Sequence, residues 1–303
     1  MPIGIQAMKL KRRQFLGTAV ASTAGAIGAS ELLQAAPTTS DNPTGLVPLG
    51  KELKVCRIGI GTGVKSCNRQ SNATRMAREK FDQLLRDAYD QGIRLFDLAD
   101  LYGSHPYVAR VLKGKPRDSY QLSSKVWFHP GGIPDEDRGD ADVMVKRFLK
   151  ELNTDYLDLV QIHCMSKRDW PAQMRKQMDL LAGLKQQGVI RAHGVSCHAV
   201  EALEAAAEEP WVDVVHARIN PDGVKMDGPA AKVVPAMRKI HAAGKGLIAM
   251  KIIGEGAFGK DEKKRQQSVR FVMGLGCVDV MIVGFEKKEE ILEFKTRVGR
   301  LLG

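Results

Sequence analysis

The sequence predicts an α/β fold, a (β/α)8 barrel of the TIM type. Eight short apolar segments with strand character recur along the chain, and segments with apolar residues at helical spacing lie between them, several closed by glycine. Regular alternation of strands and helices is typical of a parallel sheet covered by helices. With 303 residues, 44% hydrophobic and 27% charged, the chain has the length and composition that one eight-stranded barrel requires.

The predicted strands begin after a polar segment and continue almost to the last residue. They are "VCRIGIG" (55–61), "RLFDLA" (94–99), "YQLSSKVW" (120–127), "LDLVQIHC" (157–164), "IRAHGVSC" (190–197), "VDVVHARIN" (212–220), "GLIAMKII" (246–253) and "VDVMIVGF" (278–285).

An open doubly wound sheet is the structural alternative. It is disfavoured because "GIGTGV" (59–64) has Val64 where a G-x-G-x-x-G fingerprint needs its last glycine, and no G-x-x-x-x-G-K-[ST] motif occurs.

The first 36 residues are predicted to be an export signal rather than part of the fold. A basic start is followed by a mildly apolar run rich in Ala, Gly and Thr, which is the layout of a secretory signal. Arg12 and Arg13, followed by Phe15 and Leu16, resemble a twin-arginine signal. We therefore expect the twin-arginine export machinery as a partner and a periplasmic or otherwise exported location. The alternative is a disordered basic arm. The predicted organisation is a signal at 1–36, a linker at 37–50 and the barrel at 51–303.

Charge, hydropathy and cysteine spacing argue against a nucleic-acid-binding protein, a membrane-spanning helix beyond residue 36 and a disulfide-rich or C-x-x-C metal-binding protein. Residues 1–36 hold four basic side chains and one acidic one, so the rest of the chain keeps a net charge of +8 out of +11. In "KDEKKRQQSVR" (260–270) the basic residues alternate with acidic and polar ones without aromatic residues, which indicates a solvated face and no nucleic-acid partner. No later segment offers the roughly 18 apolar residues of a membrane span. The five cysteines, without a close pair, predict neither a disulfide framework nor a C-x-x-C metal site.

Four ionisable residues lie where three consecutive predicted strands end. Asp97 and Tyr102 follow the second strand, Lys125 lies near the end of the third, and His163 ends the fourth. In a (β/α)8 barrel the carboxyl ends of the strands form the active site. Each residue alone has a structural explanation, as a turn cap, a packed ring, an extended surface chain or a core histidine. Their shared position on one rim predicts a catalytic site.

The residue types suggest proton donation without a nucleophile. A tyrosine with a pKa of about 10 is a weak proton donor unless a nearby cation favours its anion, and Lys125 is placed to supply that cation. Asp97 would keep a buried lysine charged, and His163 would hydrogen-bond the oxygen that receives the proton. We therefore interpret Tyr102 as a general acid.

At these residues the sequence resembles the aldo/keto reductase family. The matching segments occur in the family's order and extend over roughly residues 50–300: "GIRLFDLADLYGS" (92–104), "SSKVW" (123–127), "LDLVQIH" (157–163), "GVSCH" (194–198), "GLIAMK" (246–251) and "SVRFVMGLGCVDVMIVGF" (268–285). The resemblance implies a barrel that binds extended NADP or NAD without a Rossmann domain. It also implies hydride transfer between this cofactor and a small-molecule carbonyl or alcohol, with Tyr102 as the general acid/base.

The resemblance also implies which residues contact the small molecules. "GTG" after the first strand would touch the cofactor, Ser196 would face its carboxamide, and Gly284 would begin the adenosine end. Trp127 would be an aromatic wall of the substrate pocket, and no metal is expected. The implied cofactor-binding set is Gly61, Thr62, Gly63, Ser196, Cys197, His216, Met250, Lys251, Gly284, Phe285, Lys287 and Glu290.

Several of these positions depart from the family pattern. Cys197 replaces the usual Asn, His216 the usual Gln, and Met250 the ring that often stacks on the nicotinamide. Glu290 lies where many members have Arg or Gln near the adenosine ribose. A carboxylate repels a 2′-phosphate and accepts from a free 2′-hydroxyl, which favours NAD, whereas Lys287 favours NADP. The sequence therefore leaves the choice between NAD and NADP open.

Two other functions also stay open at this point. One is a non-catalytic nicotinamide-binding or sensor module on the same barrel, because the departures on the cofactor side are compatible with lost turnover. The other is a metal-dependent barrel hydrolase that uses His163, Cys164, Cys197 and His198. Adjacent strand residues point to opposite faces, so neither neighbouring pair easily binds one metal, and the H-x-H motif of many metallohydrolases is absent.

Overall fold

The fold is described by a computed structural model over residues 41–303. Its strands are β1 Leu46–Leu49, β2 Leu53–Cys56, β3 Ile58–Gly61, β4 Leu95–Asp97, β5 Gln121–Val126, β6 Leu157–Met165, β7 Ile190–Cys197, β8 Val214–Arg218, β9 Gly246–Met250 and β10 Val280–Val283. Its α-helices are α1 Arg78–Asp90, α2 His105–Leu112, α3 Ala141–Leu152, α4 Trp170–Gln173, α5 Arg175–Gln186, α6 Val200–Glu208, α7 Ala230–Ala242, α8 Glu262–Gly274 and α9 Lys288–Leu302. Short 3₁₀ helices lie at Asp100–Tyr102, Arg117–Ser119, Asp135–Asp137 and Gly254–Gly256.

Strands β3 to β10 form a closed parallel barrel, which confirms the predicted fold class. The neighbours around the barrel are β10-β3-β4-β5-β6-β7-β8-β9, so consecutive strands are joined through the helices on the outside. Each predicted strand segment overlaps one barrel strand, and only β6 extends past its segment, by one residue to Met165. Asp97 pairs with Gly61 on one side and Ser123 on the other, which places it at the carboxyl rim beside two neighbouring strands. Parallel closure thus brings all eight carboxyl ends to one face, where the loops form the site.

An antiparallel hairpin precedes the barrel: its first strand lies in the predicted linker (37–50), and its second lies at the start of the predicted barrel (51–303). Strand β1 pairs with β2, from Leu46 opposite Cys56 to Leu49 opposite Leu53. Its buried side chains pack against residues near the amino ends of several barrel strands: Leu95, Leu159, Val214, Ile248 and Val280. Gly50 has φ +62°, and a Cβ there would lie 2.7 Å from a backbone nitrogen, so the hairpin turn needs glycine. The hairpin covers the end of the barrel that faces away from the catalytic rim.

The predicted signal segment cannot be compared with this fold. Residues 1–36, together with the first residues of the predicted linker, lie outside the described residues. Within residues 41–303, the helices lack either the length or the apolar character needed to cross a membrane.

Candidate active site

The four predicted catalytic residues meet at the carboxyl ends of neighbouring strands. Asp97 ends β4, Lys125 lies on β5 and His163 lies on β6, while Tyr102 ends the 3₁₀ helix that follows β4. All four side chains are buried, with exposed fractions between 1% and 9%. The barrel thus brings together the residues that the strand-end pattern selected; their catalytic roles remain predictions.

Asp97 and Lys125 form a buried ion pair at the base of the site. Lys125 Nζ lies 2.5 Å from Asp97 Oδ1 and donates a second hydrogen bond, 3.0 Å long, to the carbonyl oxygen of Leu98. The same Asp97 oxygen lies 3.1 Å from His216 Nε2. Burial alone would raise the pKa of Asp97, but Lys125 and His216 outweigh it and hold the pKa of this carboxyl below its usual value. Asp97 is therefore ionised, and Lys125 has the counter-charge that a buried ammonium requires.

Tyr102 and His163 form the second pair of the site. Tyr102 Oη lies 3.3 Å from His163 Nε2, and the two rings meet edge to face with centroids 5.5 Å apart. Burial and the nearby Lys125 ammonium lower the pKa of His163 well below its usual value, so this imidazole is neutral. A neutral imidazole beside a phenol can orient an oxygen that binds between them.

The protonation of Tyr102 differs from the sequence-based expectation that Lys125 favours its anion. Burial raises the pKa of the phenol well above its usual value, and the Asp97 carboxylate raises it further. Lys125 Nζ lies 5.4 Å from the centre of the Tyr102 ring, but its direct ion-pair partner is Asp97. In the resting site Lys125 therefore offsets the charge of Asp97 and does not lower the pKa of Tyr102 below its usual value. The phenol therefore carries its proton at neutral pH.

The loop after β3 packs directly on the Tyr102 ring. A Cβ added at Gly63 would lie 2.2 Å from Tyr102 Cζ, far inside van der Waals contact. Gly63 therefore lets the "GTG" backbone reach the phenol, and any larger residue would displace either the loop or the ring.

A buried carboxylate fixes the 3₁₀ helix that carries Tyr102. Asp100 Oδ1 accepts from Arg69 Nε at 3.1 Å and from Arg147 Nη2 at 2.8 Å, and the Asp100 side chain is 1% exposed. Arg69 also reaches Asp137 at 2.6 Å. The sequence analysis missed Asp100, Arg69 and Arg147. Asp100 lies in "GIRLFDLADLYGS" (92–104), directly after the second predicted strand, but its partners come from the β3–α1 loop and from α3, which no local pattern connects.

A large cavity opens beside Tyr102 and extends towards α9. Its volume is about 720 Å³, and its walls come from the loops after β3, β9 and β10, from Arg265 of α8 and from α9 as far as Arg297. Asp97 and Tyr102 line its inner end. The predicted cofactor residues that line it are Gly61, Thr62, Gly63, Met250, Lys251, Gly284, Phe285 and Glu290.

The remaining predicted cofactor residues lie elsewhere. Ser196 is buried on β7, and its Oγ has no hydrogen-bond partner among residues 41–303. Cys197 is also buried, and burial raises the pKa of its thiol well above the usual value, so it is uncharged. Lys287 is exposed and does not line the cavity. His216 contacts Asp97 instead of the cavity, because β8 lies opposite β4 in the barrel and its side chain reaches across the interior.

The site fits the nicotinamide dinucleotide that the family resemblance implies. A cavity of about 720 Å³ that extends from Tyr102 towards α9 has room for an extended ligand. Ser196 does not line this cavity, but its buried hydroxyl, on the strand that pairs with β8, has no hydrogen-bond partner among residues 41–303, and a carboxamide could supply one. Five basic residues line the cavity and would attract a pyrophosphate: Lys65, Lys251, Lys260, Arg265 and Arg297. We infer that Ser196 would hold the carboxamide and that these cations would face the phosphates.

The outer end of the cavity carries paired charges. Arg265 Nη2 lies 2.7 Å from Glu293 Oε1, and Arg297 forms a close ion pair with the same oxygen. Glu290 Oε2 accepts a 2.8 Å hydrogen bond from the backbone N–H of Glu286 just before α9. This end therefore offers carboxylates as well as guanidinium groups, which is consistent with the open choice between NAD and NADP.

Aromatic and imidazole groups surround the other side of His163. The Trp127 ring meets His163 edge-on with centroids 5.4 Å apart, and its indole N–H donates to the carbonyl oxygen of Gly131 at 2.6 Å. His129 Nε2 donates to the carbonyl oxygen of His163 at 3.1 Å. Trp127 thus lies beside His163, and its role as a wall of the substrate pocket stays a prediction. The sequence analysis did not identify His129, which lies in the β5–α3 loop beyond the lysine motif.

Cys164 and His198 approach each other across two neighbouring strands but do not provide a metal site. Cys164 Sγ lies 3.3 Å from His198 Nε2. Burial raises the pKa of the Cys164 thiol to about 12 and lowers the pKa of His198 to about 3, so both groups are neutral. Within residues 41–303, no group of three or more His, Cys, Asp and Glu side chains is arranged to hold a metal ion. The metal-dependent hydrolase therefore has no ligand set in this part of the chain.

Comparisons with known proteins agree on one family. The sequence profile of the aldo/keto reductase family matches residues 57–291. D-threo-aldose 1-dehydrogenase from Pseudomonas sp. is 25% identical over 209 residues, which are 60% of this chain and 62% of that protein. Aldo-keto reductase YhdN from Bacillus subtilis is 33% identical over 133 residues, which are 40% of this chain and 38% of that protein. The chain thus spans less than two thirds of the length of these curated relatives.

Solved structures resemble the chain over most of its length. An aldo-keto reductase from Pseudomonas aeruginosa has a TM-score of 0.70 at 25% identity, covering 87% of this chain and 98% of that one. An aldo/keto reductase from Klebsiella pneumoniae, in complex with NADP and acetate, has a TM-score of 0.59 at 20% identity, covering 85% and 90%. The barrel fold of this chain is therefore one already seen in solved proteins.

Proposed function

Because the chain belongs to the aldo/keto reductase family, we propose that it is an NAD(P)-dependent oxidoreductase that interconverts a small-molecule aldehyde or ketone with the corresponding alcohol. One observation carries the proposal: Tyr102 Oη and His163 Nε2 lie 3.3 Å apart at the inner end of the long cavity, backed by the Lys125–Asp97 ion pair. A protonated phenol beside a neutral imidazole is suited to bind and protonate a carbonyl oxygen. The bound nicotinamide group would supply or accept the hydride.

Each side chain of the site has a distinct task in this proposal. Tyr102 donates its proton to the substrate oxygen, and in the alcohol-to-carbonyl direction the phenolate takes it back. His163 hydrogen-bonds the same oxygen and fixes its direction. Lys125 stabilises the phenolate that forms during reduction, and Asp97 keeps Lys125 charged and in place. Because all four groups are buried, water competes little for these hydrogen bonds.

The experiment that tests this function separates binding from turnover. The purified protein is titrated with NADH and with NADPH by cofactor fluorescence, and cofactor oxidation is then followed after addition of a panel of aldehydes and ketones. We expect saturable binding and carbonyl-dependent oxidation. Tight binding without oxidation across the panel would favour the non-catalytic sensor module.

The cofactor preference can be tested at the outer end of the cavity. We expect Glu290→Arg to shift the ratio of kcat/KM values towards NADPH by about tenfold, because a guanidinium attracts the 2′-phosphate that a carboxylate repels. Glu289→Arg is the matched control, since it makes the same change of charge one residue away at an exposed position that does not line the cavity. Equal ratios in the two variants would place the ribose away from Glu290.

We also propose that residues 1–36 direct export through the twin-arginine route to the periplasm or another compartment outside the cytoplasm. The support is sequence alone: the Arg12–Arg13 pair, the Phe15–Leu16 that follows and the mildly apolar run after them. This route carries folded proteins, which suits a barrel that has bound its cofactor before export.

Export can be tested by changing the arginine pair while keeping its charge. We expect the combined change Arg12→Lys and Arg13→Lys to retain the protein in the cytoplasm, because the recognised feature is the guanidinium pair and not the net charge. The matched control is Lys9→Arg with Lys11→Arg, which keeps the pair and should still be exported. Fractionation followed by mass spectrometry of the N-terminus measures both results. Undiminished export after both arginines have been replaced would rule out this signal.

A further inference from the structure

We propose that His216 is a positioning residue of this site, which donates a hydrogen bond across the barrel to Asp97 and thereby holds the carboxylate in the orientation that keeps Lys125 beside Tyr102. The inference rests on the proposed carbonyl reduction. It assigns His216 to the proton-donating side of the reaction, whereas the family resemblance places the corresponding residue at the cofactor.

The contact spans the interior of the barrel. His216 lies on β8, in register with Ser196 of β7 and Ile248 of β9. Its Nε2 lies 3.1 Å from Oδ1 of Asp97, which ends the strand on the opposite side of the barrel. The His216 side chain is fully buried, at 0% exposure. A buried side chain held between fixed strands has little freedom, so its hydrogen bond fixes the direction of its partner.

The direction of the hydrogen bond follows from the protonation of both groups. Asp97 is ionised and can only accept, so the proton lies on His216 Nε2. Burial lowers the pKa of His216 despite the opposing effect of Asp97, which leaves the imidazole neutral with Nδ1 as its free acceptor. His216 Nδ1 has no hydrogen-bond partner within residues 41–303. The neutral ring therefore contributes one directed donor without adding a second full charge next to Lys125.

The oxygen that His216 contacts is the one that holds Lys125. Asp97 Oδ1 accepts from Lys125 Nζ at 2.5 Å, from His216 at 3.1 Å and from Ser123 Oγ at 3.4 Å. Lys125 comes from β5, two residues after Ser123, so both of these donors approach from one side of the barrel. His216 is the donor from the opposite side. Without it, the carboxylate is free to rotate towards β5, and the ammonium that it holds moves relative to the phenol.

A kinetic comparison tests the positioning role. We expect His216→Leu to lower kcat for carbonyl reduction by about tenfold, the effect of losing one hydrogen bond to a charged group, while the dissociation constant of the cofactor stays within about twofold. His216→Gln retains a donor at similar reach and should restore most of kcat. A cofactor dissociation constant that rises tenfold in His216→Leu with kcat unchanged would overturn the proposal in favour of a cofactor contact.

A double-mutant cycle separates positioning from simple packing. In the Asp97→Ala background there is no carboxylate to orient, so adding His216→Leu should change the single-turnover rate by less than about twofold. If His216 only fills the core, the same substitution should lower the rate to a similar extent in both backgrounds. Additive effects would therefore overturn the proposal.

A measurement made without substrate tests the His216–Asp97 contact separately from carbonyl reduction. In protein labelled with ¹⁵N-histidine, the ring nitrogens of His216 should report a neutral imidazole with its proton on Nε2, and Asp97→Ala should shift that signal. A protein that shows this signal but reduces no carbonyl would refute the proposed function and the positioning role together, while leaving the His216–Asp97 contact established. A His216 signal that is protonated on Nδ1, or that does not change in Asp97→Ala, would refute the contact itself.

Discussion

Tyr102→Phe is expected to reduce carbonyl reduction by about 10²-fold or more, measured as kcat at saturating cofactor. The substitution keeps the ring that packs on Gly63 and against His163 and removes only the hydroxyl. The phenol is protonated because burial and Asp97 raise its pKa, so it can donate a proton 3.3 Å from His163 Nε2. With the hydroxyl removed, the substrate oxygen keeps only the imidazole as a donor.

The control for this variant is cofactor binding. The dissociation constant should stay close to that of the parent protein, because the ring that lines the cavity is retained. If Tyr102→Phe binds the cofactor normally and reduces a test aldehyde at the parent rate, Tyr102 has no part in proton transfer and is only a packed ring.

Lys125→Met should lower kcat by a comparable factor, about 10²-fold or more. Methionine occupies a similar volume but carries no charge, so the Asp97 carboxylate loses the ammonium that lies 2.5 Å away. The uncompensated negative charge then raises the pKa of Tyr102 further and makes the phenol a poorer acid. It also disfavours the phenolate that forms when the proton leaves.

Two further variants test whether the loss of activity in Lys125→Met comes from the Asp97–Lys125 ion pair. Lys115→Met is the matched control, because Lys115 lies over the Tyr89 ring at 4.5 Å and is exposed, and its loss should leave kcat unchanged. Asp97→Asn keeps the shape of the carboxylate and removes its charge, so it should lower kcat by an intermediate amount as Lys125 loosens. Parent activity in Lys125→Met would show that the ion pair supports the fold but not the reaction.

The barrel and the identity of its catalytic rim could be predicted from local patterns. Apolar segments bounded by turn residues located all eight strands, and strand ends in a parallel barrel must share a face. Asp97, Lys125 and His163 each lie at such an end, so their convergence follows from topology alone. Tyr102 could be predicted by the same reasoning because it lies only five residues after Asp97, at the end of a short 3₁₀ helix that follows β4.

Contacts that depend on how the barrel closes could not be predicted in the same way. His216 meets Asp97 although 119 positions separate them in the chain, and the contact exists only because β4 and β8 face each other. Asp100 likewise gains Arg69 and Arg147 from two separate elements. The family resemblance implied that His216 contacts the cofactor, because the usual residue at this position is Gln. A sequence match gives the position in the fold, but it does not show which contacts a different side chain makes there.

The protonation of Tyr102 also required the structure. From the sequence, the nearest cation was expected to set the pKa of the phenol. The pKa of the phenol is instead raised first by burial and then by the Asp97 charge, and Lys125 forms an ion pair with that carboxylate.

The β1–β2 hairpin could not be predicted for a different reason. Its two strands are four residues each, which is too short for an alternating pattern of apolar and polar residues to stand out beside the polar segment before it.

The transfer of deuterium from the cofactor to a carbonyl carbon tests the central claim most directly. The purified protein is incubated with a test aldehyde and a reduced nicotinamide cofactor that is dideuterated at its hydride-donating carbon, and the alcohol is analysed by mass spectrometry. The proposed function predicts an alcohol with deuterium on the carbinol carbon, formed at the rate of cofactor oxidation and strongly slowed by Tyr102→Phe. Cofactor that binds while the aldehyde stays unreduced, or alcohol that carries no deuterium, would contradict it.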